Sequence, residues 1–207
     1  MLTFSVAMAT YNGGAYLRDQ LESLKSQSIT PDEIVITDDN SSDETWGILE
    51  EFQKESEFSV KIYKNDKKLG YKDNFMRAAS LCSSDLIGFC DQDDVWRPDK
   101  IERCASLFSS GDLLMCHHNA LIVNDDFEGS GCLGNEGLSK SPLRANMMRS
   151  LWSSPRGFTQ VFRSELLEFS KFRKYSIDHN SGGDEPMAHD QWIYFLATSF
   201  GKTEFID

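Results

Sequence analysis

The sequence predicts an α/β fold with a mostly parallel central sheet flanked by helices, and three observations carry that prediction. Short apolar, partly β-branched runs alternate with longer segments whose apolar residues recur at helical spacing. Three of the apolar runs stop abruptly at polar clusters, Thr10-Tyr11-Asn12, Asp38-Asp39 and Asp91-Gln92-Asp93-Asp94. The composition supplies one substantial core: 207 residues, 40% hydrophobic and 12% aromatic, without the marks of disorder.

The first strand is expected over residues 4–9, then a turn through Thr10-Tyr11-Asn12-Gly13-Gly14 and a helix with Leu17, Leu21 and Leu24 on one face. A second strand over 33–37 breaks at Asp38-Asp39-Asn40-Ser41-Ser42, and Ser42 or Asp43 is expected to cap a helix burying Trp46, Leu49 and Phe52. A third strand, 59–63, leads through a Lys-rich loop and Gly70 into a helix over about 72–81. The run Leu86-Ile87-Gly88-Phe89-Cys90 is the fourth strand, and Pro98 is expected to open a helix with Ile101, Cys104 and Leu107 inward.

Beyond Leu113 the rhythm becomes irregular. Strands are expected over 113–116 and 120–123, a long surface loop over 124–140, and an apolar stretch over 160–162 followed by a short helix. A polar loop over 176–184 precedes a helix opened by His189-Asp190-Gln191-Trp192 that packs Trp192, Phe195, Leu196 and Phe200. There is no internal repeat and no low-complexity tract.

A formal charge of −12, with 21 basic against 33 acidic residues, argues against nucleic acid as a partner, because such binding draws its affinity from clustered Lys and Arg. The five cysteines show no metal-ligand spacing, and an odd count does not suggest a disulfide framework; they are expected as reduced core residues of a cytoplasmic protein. Residues 1–9 are not expected to act as a leader, since they carry no basic residue, and no apolar run approaches the ~20 residues of a membrane helix. Peripheral work at the inner face of a membrane stays open, as does the oligomeric state.

In parallel α/β sheets ligands bind beyond the carboxyl ends of the strands, so the three polar clusters are expected to line one crevice. Carboxylates as close as Asp91, Asp93 and Asp94 repel one another and are tolerable only if hydrated, paired with bases, or holding a divalent cation. Mg2+ or Mn2+ takes oxygen ligands from one or two carboxylates plus a substrate's phosphates, which lets an acidic protein hold a diphosphate. Asp93 is the expected direct ligand, Asp91 is close enough to meet a ribose hydroxyl, and Asp94 supports them from behind. Capping of the helix near Pro98 explains one acid of the three. An EF-hand loop at Asp39, Ser41 and Asp43 is rejected, since Glu44 stands where that loop needs Gly.

The segments Val6-Ala7-Met8-Ala9-Thr10-Tyr11-Asn12, residues 34–43 with Asp38-Asp39, and Asp91-Gln92-Asp93-Asp94-Val95-Trp96 resemble three signatures of the inverting glycosyltransferases of family two, in the same order. His189-Asp190-Gln191-Trp192 resembles the family's base-bearing motif, as found in bacterial rhamnosyltransferase-like members. The resemblance implies a GT-A fold and inverting transfer from a UDP-, dTDP- or GDP-sugar, with Mg2+ or Mn2+, to a saccharide or lipid-linked acceptor in surface polysaccharide or lipid-linked oligosaccharide synthesis. By position, Thr10 and Tyr11 would lie along the nucleotide, and Asp39, or alternatively Asp38, would hydrogen-bond the base. Asp91 and Asp93 would form the metal-binding pair, Lys72 or Asn74 would stand near the diphosphate, and Gly157 beside the reacting sugar. Asp190 would be the catalytic base, with His189 and Trp192 on the acceptor side.

The division so implied is a single GT-A domain, residues 1–110 the nucleotide-binding half and 111–207 an acceptor-side half cut short at its C-terminus. Taken alone, His189 and Asp190 would read as an ordinary helix start, an Asp there being favoured by the dipole. His117, His118 and His179 have no supported role, and Trp96 is expected in core packing. A sugar nucleotidyltransferase would place a basic Gly-rich loop after the first strand, and residues 10–14 carry no base. A dinucleotide dehydrogenase lacks its GxGxxG. A non-catalytic nucleotide-sugar-binding module is the remaining alternative.

Overall fold

The computed structural model describes residues 2–109, 111–124, 129–133, 154–178 and 185–206. Four parallel strands form one side of the sheet: β1 (Phe4–Thr10), β2 (Glu33–Asp38), β3 (Ser59–Lys64) and β4 (Leu86–Cys90). Each is joined to the next by a helix, α1 (Leu17–Lys25), α2 (Thr45–Glu55) and α3 (Tyr71–Ser80), as parallel neighbours require. The sheet continues through β8 (Gln160–Arg163), β5 (Leu113–His118) and β9 (Lys202–Ile206), giving the order β3-β2-β1-β4-β8-β5-β9. β8 runs antiparallel to both of its neighbours, while β5 and β9 are parallel. Helices α4 (Lys100–Leu107) and α5 (His189–Phe200) and a 3-10 segment, Ser164–Tyr175, complete the sheet's cover.

Burial on both faces explains why β1, β2 and β4 read as near-continuous apolar runs. On one face Leu17, Leu21 and Leu24 of α1 and Leu49 and Phe52 of α2 pack with Val6, Met8, Ile34 and Ile36. On the other, Phe75 and Ala79 of α3 join Ala7, Ile87, Phe89 and Trp192. Gly88 in β4 is demanded by packing: a Cβ there would stand 3.0 Å from the Phe4 ring and 3.3 Å from Trp96, which is buried.

Several elements differ from expectation for local reasons. Residues 129–133 form β7, pairing antiparallel with β6 (Ala120–Val123), where a loop was expected; the rest of that loop, much of the loop over 176–184, and His179 lie outside the described residues. Residues 202–206 were not expected as the edge strand β9. Helix α4 starts after Pro98, at Lys100, with Asp99 at its cap position. At α2 it is Asp43 that accepts from the Thr45 amide (3.1 Å); Ser42 takes no such part. Trp46 is only partly buried, its indole N–H donating to Glu50 (2.9 Å). Phe200 is 59% exposed at the end of α5, stacked on Phe169. All five cysteines are free, but Cys132 is exposed and Cys82 half-buried, so only Cys90, Cys104 and Cys116 belong to the core. Among the described residues no helix is long and apolar enough to cross a membrane.

Candidate active site

The loops after β1, β2 and β4 meet at the carboxyl edge of the sheet and are tied together residue by residue. Asn12 is held at φ 48° and Asn40 at φ 64°, left-handed values that asparagine tolerates. In that geometry the Asn12 amide donates to Ser41 Oγ (2.9 Å), and Asn12 Oδ1 accepts from the Ser42 amide (2.9 Å). Gly13 and Gly14 donate to Thr45 Oγ1 (2.8 Å) and Asp43 Oδ2 (3.0 Å). Gln92 clasps Tyr11 from the other side, accepting from its amide (2.9 Å) and donating to its carbonyl (3.1 Å). A Cβ on Gly13 would stand 2.3 Å from Gln92 Oε1, so this clasp requires glycine.

Between these loops opens a cleft of about 370 Å³, whose walls include Thr10, Tyr11, Asp39, Asn74, Asp91 and Asp93. Asp38 and Asp39 part company here. Asp38 is fully buried, accepting from Thr10 Oγ1 (3.0 Å), the Ser41 amide (2.9 Å) and Ser41 Oγ (2.5 Å), and it does not line the cleft. Asp39 does line it, while its carboxylate holds the loop before α3: Oδ1 accepts from Asn65 Nδ2 (2.9 Å) and the Leu69 amide (2.6 Å), Oδ2 from the Gly70 amide (2.8 Å). Asn74 braces the same corner, donating to the carbonyls of Thr37 (2.9 Å) and Thr10 (3.3 Å).

The cluster after β4 is poorly satisfied by comparison. Burial, and then the charges of Asp94, Asp93 and Asp190, push the Asp91 carboxyl up to about 7. Asp94 is pushed up to about 6 by burial and by Asp93, with Lys100 opposing, and its Oδ2 is buried with no partner among the described residues. Lys100 is itself buried, which draws its ammonium down to about 8; it lies 3.5 Å from the Trp96 ring centroid and donates to the Phe158 carbonyl (2.7 Å). A divalent cation fits this set of hard, mutually repelling carboxylate oxygens, one of them orphaned. Among the described residues no three or more His, Cys, Asp or Glu side chains are grouped to hold a metal alone, so a cation here would need oxygens from elsewhere.

Asp190 opens α5, and its field at Asp91 sets the two carboxylates in one electrostatic neighbourhood. Burial raises its pKa; the Gln191 amide, 2.8 Å from Oδ1, opposes that and orients the carboxylate. Gly157 abuts this turn: a Cβ on it would stand 2.6 Å from His189 Nε2 and 3.5 Å from Asp190 Cβ. His189 is 5% exposed, stacked on Phe75 at 4.1 Å and edge-on to Phe89 at 4.8 Å, with neither ring nitrogen hydrogen-bonded among the described residues. Burial and Arg173 draw it down to about 3, so the ring is a neutral packing element rather than an open surface group. Trp192 is likewise buried, stacked on Phe195.

Lys72 lies off the cleft, its ammonium 3.0 Å from both Asp178 Oδ2 and Glu185 Oε2, bolting α3 to the segment before α5. The basic side chain that does line the cleft is Lys68, which the sequence reading passed over. Its signal was the Lys-rich loop itself, lying between the carboxyl end of β3 and α3. Gln92 was also passed over as anything but a member of the acidic quartet, though an amide among three acids is the residue able to donate.

Relatives and solved structures agree with this architecture. The dTDP-rhamnosyl transferase RfbG of Shigella flexneri is 29% identical over 205 residues, covering 97% of this chain and 68% of that protein. The chondroitin synthase of Escherichia coli is 34% identical over 185 residues, 83% of this chain and 26% of its own length. S. aureus TarS in complex with UDP has a TM-score of 0.77 at 19% identity, over 99% of this chain and 58% of that one. The mannosyltransferase PcManGT from Pyrobaculum calidifontis, in complex with GDP-Man and Mn2+, has a TM-score of 0.68 at 16% identity, over 99% of this chain and 55% of that one. The chain spans about half to two thirds of the length of several curated relatives. The solved structures bear on the fold, which is GT-A. The family model described as Glycosyl transferase family 2 matches residues 5–175, and the chain belongs to that family.

Proposed function

We propose that this chain performs metal-dependent, inverting transfer of a sugar from a nucleotide-diphosphate donor to a hydroxyl acceptor, in the synthesis of bacterial surface polysaccharide or lipid-linked oligosaccharide. The observation that carries the reading is that Asp91 and Asp93 share one cleft with Tyr11 and Asp39, while Asp190 is near enough to perturb Asp91. In this reading residues 1–110 bind the donor and 111–207 contribute to the acceptor side. Tyr11 offers a ring to the base, and Asp39 an acceptor for its N–H.

Asp93 and Asp91 would hold Mg2+ or Mn2+, which when bound would neutralise the diphosphate and stabilise its departure. An acceptor hydroxyl is a weak nucleophile at neutral pH, so Asp190 takes its proton as the oxygen attacks the anomeric carbon and the bond to phosphate breaks. Burial of the Asp190 carboxyl raises its basicity, and the Gln191 amide keeps it aimed. His189, wedged between Phe75 and Gly157, positions that turn. The rhamnosyl transferase relative makes dTDP-rhamnose the first donor to try.

Calorimetric titration with UDP, dTDP and GDP, with and without Mn2+, tests the donor site; binding indifferent to metal overturns it. The Asp190→Ala variant is expected to keep donor affinity within about twofold and to lose about 10²–10⁴-fold in turnover. Loss of both would remove Asp190 from the role of base.

A further inference from the structure

Lys68 rests on the face of Tyr11 that the donor-site reading gives to the base. Its ammonium lies 3.5 Å from the centroid of the Tyr11 ring, and Tyr11 is 41% exposed at the cleft. Stacked rings sit with centroids roughly 4.5–7 Å apart, so a planar base and this ammonium cannot share that face. The backbone on either side of Lys68 is pinned: the Asn65 amide donates to the Asp38 carbonyl, the Leu69 and Gly70 amides donate to the Asp39 carboxylate, and Gly70 has φ 83°. The side chain is exposed and makes no ion pair among the described residues, although Asp39, Asp91 and Asp93 line the same cleft. A pinned backbone with a long, unpaired cationic arm can trade one partner for another without moving the fold.

We propose that Lys68 is an exchange residue: a nucleoside base takes the Tyr11 face, and the displaced ammonium turns to the diphosphate of the same ligand. The inference rests on the donor-site reading above and deepens it, because it makes the cleft selective for nucleoside diphosphates over nucleosides. A ligand without phosphates must break the cation–π contact and gives the ammonium nothing in return. A diphosphate offers it two anionic groups, in a cleft whose other charged walls are acidic.

The test compares wild type with Lys68→Met and Lys68→Arg, using UDP, dTDP and GDP by calorimetry with Mg2+, and uridine, thymidine and guanosine by NMR titration. Lys68→Met is expected to weaken binding of the diphosphate that wild type prefers by about tenfold. The same variant should tighten its parent nucleoside about two- to fivefold, the size of an exposed cation–π contact. Lys68→Arg should keep the diphosphate affinity within about threefold. Opposite signs for the two ligands in one variant are the signature. If both weaken, Lys68 is an ordinary part of the wall; if the nucleoside does not gain, the ammonium was not in its way; either result overturns the exchange. Wild-type protein that binds none of the three diphosphates overturns the donor-site reading itself, and the role of Lys68 with it.

Discussion

Two acidic clusters stand side by side at the carboxyl edge of the sheet, and they are built on opposite terms. After β2, Asp38 and Asp39 accept six hydrogen bonds between them from Thr10, Ser41, Asn65, Leu69 and Gly70. After β4, Asp91 and Asp94 are pushed up to about 7 and 6, and one oxygen of Asp94 is buried with no partner among the described residues. Satisfied carboxylates build a wall; unsatisfied ones store a demand for positive charge. The satisfied and the unsatisfied acids stand at the ends of β2 and β4, on either side of β1, and hydrogen bonding, not residue type, tells them apart.

Removing an acid from each cluster should therefore give opposite results. Asp93→Ala is expected to lower turnover by about a thousandfold and to abolish the metal dependence of diphosphate binding. In metal-free protein the same change should leave the melting temperature unchanged or higher, because it removes a like charge beside Asp91. Asp38→Ala should do the reverse. It strands the Thr10 and Ser41 donors in fully buried surroundings and should cost about 3 kcal/mol, a fall of about 10 °C in Tm for a chain of this size. A Tm loss of that size in Asp93→Ala, or none in Asp38→Ala, would break the comparison.

A smaller effect is expected at the turn that opens α5. Gly157→Ala would set a Cβ 2.6 Å from His189 Nε2, and the ring, held by Phe75 and Phe89, has nowhere to retreat. The expected cost is about 2 kcal/mol by denaturant unfolding, with turnover falling as the displaced His189 carries its chain neighbour Asp190 with it. Unchanged turnover in a destabilised variant would show that the turn carrying Asp190 yields without consequence.

The same contrast explains what could be read in advance. Strands β1, β2 and β4 were legible to within a residue because each is a largely apolar run, buried on both faces, that ends in a hard polar break, and the edge strand β3 was legible from the alternation around its buried Val60. Further along the chain β5, β6 and β8 fell where apolar stretches were read, but β7 and β9 were missed. β7, with the sequence Gly-Ser-Gly-Cys-Leu, carries loop residues, and β9, Lys-Thr-Glu-Phe-Ile, alternates at a sheet edge; in both, tertiary pairing overrides weak local preference. Within the site the acids announced themselves, but which of them is satisfied depends on donors from the end of β1, the loop after β2 and the loop between β3 and α3. Lys72 and Lys68 looked alike in sequence. Only the turn at Gly70 and the carboxylates of Asp178 and Glu185 decide that one is bolted down and the other faces the cleft.

The finest discrimination between the clusters is expected from pH. An unfolded carboxyl titrates near about 3.9, so between roughly pH 4 and 7 the folded chain holds protons on Asp91 and Asp94 that the unfolded chain has released. The stability these two contribute is complete below that range and is lost as pH rises through about 6 and then about 7. Glu33 has the opposite sign: burial would raise it, but Lys61, Ser5 and Ser83 outweigh that and hold it at about 2, so its contribution is present above the usual carboxylate range and is lost in strong acid. His118 and His189, both drawn down to about 3 by burial, also favour the folded state as pH rises toward 6.5. The raw profile therefore mixes signs, and the informative quantity is the difference between wild type and Asp91→Asn, which removes the Asp91 part alone. In metal-free urea unfolding at pH 5, 6, 7 and 8, wild type is expected to lose roughly 2 kcal/mol relative to the variant across the series. Mg2+ should then narrow the gap at pH 8, where the carboxylates are free to bind it. Parallel metal-free profiles would mean that Asp91 ionises as easily as a solvated acid, and the strand-end demand for positive charge would lose its physical basis.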